Sequence, residues 1–356
     1  MNETVKYKPD ESGYLSQEDT KSYYSRIGFF CFFIGAISFG ISLLAGYIVK
    51  IFFPWLPQNE LWLSIFNYAL SFVAIYCIAT PIAFIVIKPL PKVRPIKEKM
   101  KLTHLLGALC ICFSCMQVGS SFSNTIITIF ETITGKTLVN PVEENLSTGS
   151  LWLSAICVGI LFPILEELLF RRLLCSRLLP LGEKQAVIIS AAIFGLIHGN
   201  LYQFAYAFLI GLVFGYIYVK TGKLIYTMIF HCIINLYGGV FAQLVLSKIP
   251  LDKLEEILDE LMTNPNIFND MDALWALLSP YALGLALYMI YAYVMMGLAF
   301  AGFIVLLINA IKKKITFEQG ILQTPKEHAI SNFFLTGGVA AAVGFIAFDF
   351  FFSLLY

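Results

Sequence analysis

Charge is scarce in this chain. Only 13% of its 356 residues are Asp, Glu, Lys or Arg, and the 24 basic side chains nearly balance the 23 acidic ones. Soluble domains carry about 25% charged residues, so a soluble enzyme and a disordered tail are both excluded as descriptions of the whole. No long basic block occurs, which excludes a nucleic-acid partner. A disulfide framework is missing as well. The eight cysteines lie almost entirely inside apolar runs, where cysteine packs as a small hydrophobe. Even the cluster Cys110, Cys112 and Cys115 reads better as packing than as a metal site. No His is followed by Glu, so the His-Glu-x-x-His zinc helix is absent, and there is no Gly-x-Ser-x-Gly elbow. Neither an internal repeat nor a low-complexity stretch is found.

What fills the chain is apolar residue, 58% of the total. A membrane-spanning helix needs roughly 20 such residues in a row. On that template the expected fold class is all-α, a polytopic transmembrane helix bundle of about nine spans, with eight as the alternative count. The spans fall near 27–49, 61–87, 103–130, 151–170, 186–199, 201–219, 224–246, 280–311 and 331–355. The fifth is short, so it should tilt or share a tight turn with the sixth at Gly199–Asn200. The first run is too long for a signal-peptide core and reads as a retained helix. A cytoplasmic N-terminus places 20 of the 24 Lys and Arg on that side. Only Lys50, Lys136, Lys248 and Lys253 fall opposite, as the positive-inside rule requires.

This divides the chain into a cytoplasmic tail (1–26), N-terminal spans (27–130), a polar-dotted helical core (151–246), an outer amphipathic segment (247–279) and C-terminal spans (280–356). In the outer segment Leu251, Leu254, Ile257, Leu258 and Leu261 recur at helical spacing, opposite Asp252, Glu255, Glu256, Asp259 and Glu260. Such a helix lies on a membrane surface or on the bundle. The outer connection 131–150 carries Glu131, Glu143 and Glu144.

Ionisable residues inside spans are costly and are functional candidates by default. The fourth span holds Glu166, Glu167 and Arg171, the fifth Phe194 and His198, and the seventh His231 and Asn235. Asp349 stands alone in the last span, near its outer end, and is expected to reach the interface. Glu167 and Arg171 are four apart with the acid first, the favourable order for a helix ion pair. Glu166 is rotated about 100° from Glu167 and lacks that partner. At about 1.5 Å per residue, Glu166, His231 and His198 lie roughly 8, 10 and 16 Å from the cytoplasmic ends of their helices. A free carboxylate and a histidine that reach one point can hold and deprotonate a water. His231 and Asn235, one turn apart, are donors suited to an oxyanion. Hydrogen-bonding glue between helices is the alternative.

Glu166-Glu167-x-x-x-Arg171, Phe194-x-x-x-His198 and His231-x-x-x-Asn235, in this order over about 70 residues, resemble the three motifs of the CAAX-protease and bacteriocin-processing family, also called Abi. The resemblance covers roughly 151–246. It implies a glutamate-dependent intramembrane endopeptidase whose eukaryotic relatives trim prenylated CAAX proteins. By position Glu166 activates the water with His198, His231 and Asn235 form the oxyanion hole, and Glu167 and Arg171 match supporting positions, with Phe194 beside His198. A metal-free reaction is the favoured reading. Zinc held by Glu166, His198 and His231, with an open fourth position, is the alternative. The expected partners are membrane lipid and a lipidated or membrane-associated peptide or protein substrate. The expected location is a bacterial plasma membrane. The competing functions are a non-catalytic immunity or scaffold protein and a proton-coupled transporter, though the inverted repeats common in transporters are not found.

Overall fold

Lipid offers the backbone no hydrogen bonds, so long apolar runs close their own as helices. In the computed structural model these runs form ten helices, described for residues 7, 10, 14–96, 98–140, 150–248, 251–324, 333 and 336–355. They are α1 (Gln17–Phe52), α2 (Glu60–Ile87), α3 (Leu102–Thr134), α4 (Leu151–Leu181), α5 (Glu183–Leu196), α6 (Leu201–Thr221), α7 (Leu224–Leu246), α8 (Leu251–Thr263), α9 (Met271–Ile311) and α10 (Gly337–Leu355). Among the described residues there is no strand, only isolated bridges at Tyr14–Gln323 and Gly182–Gln319.

Each of the nine expected spans has a helix. Seven are long and apolar enough to cross a membrane: α1, α2, α3, α4, α6, α7 and α9. α10 is a shorter apolar helix, and α5, of 14 residues, is as short as the expected fifth span but begins three residues earlier. α5 turns back into α6 at Gly199, whose φ of +66° is left-handed. The amphipathic segment forms α8, with Ile257 buried while Glu256, Asp259 and Glu260 are exposed. Glu143 and Glu144 lie outside the described residues.

The basic connections meet at one end of the bundle. Leu15 N–H donates to Gln323 O at 2.8 Å, Val93 N–H to Ser176 O at 2.9 Å, Glu98 N–H to Thr221 O at 2.8 Å and Leu322 N–H to Pro180 O at 2.8 Å. Glu183 Oε2 accepts from Lys220 Nζ at 2.5 Å and from the Glu318 backbone at 2.8 Å. Five segments distant in sequence are thereby tied together at the end where α4 and α6 finish and α5 and α7 begin.

Helix crossings are set by small residues, the usual device where lipid removes a hydrophobic drive between helices. A methyl added at Gly119 of α3 would strike the Tyr206 backbone of α6. One at Gly302 of α9 would strike Cys110 of α3, and one at Gly28 of α1 would strike Gly338 of α10. Two wide π-helical stretches each lie just before a proline: Phe72–Ala79 before Pro81, and Cys157–Leu161 before Pro163. A proline ring clashes with the carbonyl four residues back. Widening the preceding turn relieves the clash without breaking the helix.

Candidate active site

The site is built where α4, α5, α6 and α7 meet. Past Pro163, α4 returns to α-helical geometry for Phe162–Glu167 and then widens again over Leu168–Cys175. The short α-helical turn carries both glutamates, and adjacent residues point about 100° apart. Glu167 consequently faces inward with a fully buried side chain, whereas the Glu166 side chain keeps 22% of its surface exposed.

A chain of polar groups runs inward from Glu166. Its Oε2 lies 3.6 Å from His231 Nε2, while His231 Nδ1 is 3.2 Å from Glu167 Oε1. Arg171 Nε donates to Glu167 Oε2 at 3.1 Å. The Thr227 hydroxyl, one turn before His231, donates to Leu224 O at 3.0 Å and lies near Glu167. Arg171 is wholly buried, and its Nη1 and Nη2 have no hydrogen-bond partner among the described residues. Phe194 and Phe214 present their rings to the guanidinium instead, with centroids 5.4 and 5.9 Å away. This arrangement recovers part of the desolvation cost of the charge. His231 thus stands between the two carboxylates, within hydrogen-bonding distance of Glu167 and beyond it for Glu166.

His198 packs beside Phe194. The Phe194 ring lies edge-on to His198 at 5.2 Å and to His231 at 5.6 Å. His198 Nδ1 is 2.7 Å from Phe194 O, a carbonyl that can only accept, so Nδ1 carries the proton and Nε2 is free to act as a base. Among the described residues His198 makes no hydrogen bond to Glu166. Asn235 Nδ2 donates to Val158 O at 3.0 Å, joining α7 to the wide turn of α4 and leaving a second N–H on the same nitrogen.

Several residues here escaped the sequence reading. Asn200 caps α6: its Oδ1 accepts from Gln203 N–H at 2.9 Å, and its Nδ2 donates to His198 O at 2.8 Å. Gln203 Nε2 in turn donates to Tyr206 Oη at 3.2 Å, and both Tyr206 and Tyr76 stand within electrostatic reach of Glu166. The Asn200-x-x-Gln203 spacing resembles a capping box and was a legible signal. Tyr76 and Tyr206 carried none, being two tyrosines among 18.

The zinc alternative is a poor fit to this geometry. Among the described residues no group of three or more His, Cys, Asp or Glu side chains gathers closely enough to hold a metal. Both nitrogens of His231 already face carboxylates.

Residues 148–237 match the family model described as Type II CAAX prenyl endopeptidase Rce1-like. The UPF0177 protein YxdF of Lactococcus lactis subsp. lactis (strain IL1403) is 32% identical over 83 residues, 23% of this chain and 46% of that protein. The chain thus spans about half the length of that relative. No solved structure matches the chain.

Proposed function

We propose an intramembrane endopeptidase that hydrolyses a peptide bond near the cytoplasmic leaflet, a reading supported by the match of residues 148–237 to the Type II CAAX prenyl endopeptidase Rce1-like model. The observation that carries the reading is the polar chain Glu166–His231–Glu167–Arg171, sealed at its inner end and accessible at Glu166. Polar groups serving only as helix glue would be mutually satisfied. Glu167 fits that role. Glu166 does not, since it is partly exposed and the nearest ring nitrogen, His231 Nε2, stands 3.6 Å away.

In this reading Glu166 and the free Nε2 of His198 hold the attacking water and take its proton. The second N–H of Asn235, together with His231 in the form that carries a proton on each ring nitrogen, offers hydrogen bonds to the oxyanion that forms on the scissile carbonyl. Glu167 fixes the orientation of His231, and Arg171 balances the charge of Glu167. The reaction needs no metal ion. The substrate is a lipidated or membrane-associated peptide, of CAAX type or from peptide maturation. It reaches the site from the basic end of the bundle, which the positive-inside rule assigns to the cytoplasm of a bacterial plasma membrane.

The test gives purified protein in liposomes a library of lipidated and unmodified C-terminal peptides, with products read by mass spectrometry. Cleavage by the wild type, lost in Glu166→Gln and unaffected by a chelator, is the expected result. Equal cleavage by the Glu166→Gln variant would remove Glu166 from the chemistry.

A further inference from the structure

Asp349 is the one ionisable residue between 337 and 355, in a helix otherwise built of small and apolar side chains. A carboxylate at such a depth is expensive, and an apolar residue would pack α10 equally well. Asp349 is half-buried, and its carboxylate lies against Gly199, the residue after His198. A Cβ at Gly199 would strike Asp349 Oδ2. The close approach therefore requires glycine, as does the positive φ of the turn.

Gly199 immediately precedes Asn200, the N-cap of α6, so the carboxylate lies beside the start of that helix. Its position along the bundle is set from far away. The Gly338 N–H donates to Ser25 Oγ at 3.1 Å, and the Gly28–Gly338 crossing lets α10 lie directly on α1. Asp349 follows Gly338 by eleven residues, about 16 Å of helix.

Resting on the protease reading above, we propose that Asp349 is a positioning residue for His198. Its carboxylate fixes the turn that carries His198, so a helix outside the family-matched segment completes the site. His198 is held from two directions, by Phe194 O on its ring and by Asn200 Nδ2 on its backbone carbonyl, and Asp349 packs on the next residue, Gly199. Removing the charge at Asp349 loosens the turn and misplaces Nε2, while substrate binding elsewhere is untouched.

The experiment compares wild type with Asp349→Asn, Asp349→Glu and Asp349→Leu in liposomes, using the substrate found above, with Glu166→Gln as the inactive reference. The second readout is the 15N ring signal of His198, assigned by its loss in His198→Ala. Asp349→Asn, nearly isosteric, should lower kcat about tenfold with KM within about twofold, the cost of roughly one unit of proton-transfer or placement free energy. The His198 Nδ1 signal should move as its bond to Phe194 O loosens. Asp349→Glu should recover part of kcat, and Asp349→Leu none. Unchanged kcat and an unchanged His198 signal in folded Asp349→Asn overturn the inference. If the wild type cleaves nothing, the protease reading fails instead, and the His198 signal alone decides whether Asp349 positions the turn.

Discussion

Arg171 is the residue whose loss the structure prices most directly. Its side chain is fully buried, and its only hydrogen bond among the described residues is Nε to Glu167 at 3.1 Å. At that separation and an effective dielectric near 20, the attraction is about 5 kcal/mol. Stripping water from both charges costs several kcal/mol each, so the intact pair contributes little net stability. The cost appears when one partner is removed. Arg171→Met leaves Glu167 buried and takes away the cation over Phe194 and Phe214, which for a broken buried pair amounts to about 3–5 kcal/mol. Glu167 still keeps His231 at 3.2 Å, so the lower end, about 3 kcal/mol, is expected. The assay is denaturant unfolding in detergent of wild type, Arg171→Met, Glu167→Gln and the double variant. The double variant should be more stable than the two single costs imply, with a coupling of at least about 1.5 kcal/mol. Additive costs, or an Arg171→Met variant within about 0.5 kcal/mol of wild type, would refute the reasoning.

Three further outcomes follow from the same geometry. Glu166→Gln should lower turnover by at least about a hundredfold, the usual worth of a general base. It should leave the unfolding midpoint nearly unchanged because Glu166 is partly exposed, and parallel turnover and unfolding measurements check both. Asn235→Ala should reduce kcat by about 10²–10³, as loss of one oxyanion donor does. It also frees Val158 O, so an added stability loss of about 1 kcal/mol is expected in the same unfolding assay. Glu183→Ala removes the acceptor shared by Lys220 and the Glu318 backbone, and limited proteolysis should then cut faster within 312–324 than in wild type. An identical cleavage pattern would mean that the other hydrogen bonds of this segment hold it without Glu183.

The helices were legible because a membrane removes the alternatives: a run of apolar residues has no satisfied conformation in lipid but a helix. The basic residues were legible for a related reason. Their alternation between connections requires the five basic segments to share one end, and the hydrogen bonds among Leu15, Val93, Glu98, Ser176, Pro180, Thr221, Leu322 and Gln323 show that they do. The pairing of Glu167 with Arg171 was readable from their spacing of four, because neighbours on one helix face are fixed by local geometry alone.

Contacts between helices were not readable, since they depend on crossings that small residues permit but do not announce. Glu166 lies 3.6 Å from His231 Nε2 across α4 and α7, which its own helix could not show. Phe194, visible only as a companion of His198, packs its ring against both histidines. Asp349 is the clearest case. One acid in an apolar helix implied only a cost. The Gly28–Gly338 crossing, more than three hundred residues apart in the chain, brought that acid to Gly199. Sequence by itself determined which segments are helices, at which end each begins, and which side chains are too costly to be idle, because these follow from local hydrogen bonding and solvation. Tertiary structure alone decided which of those side chains meet, because that depends on how closely two helices can approach.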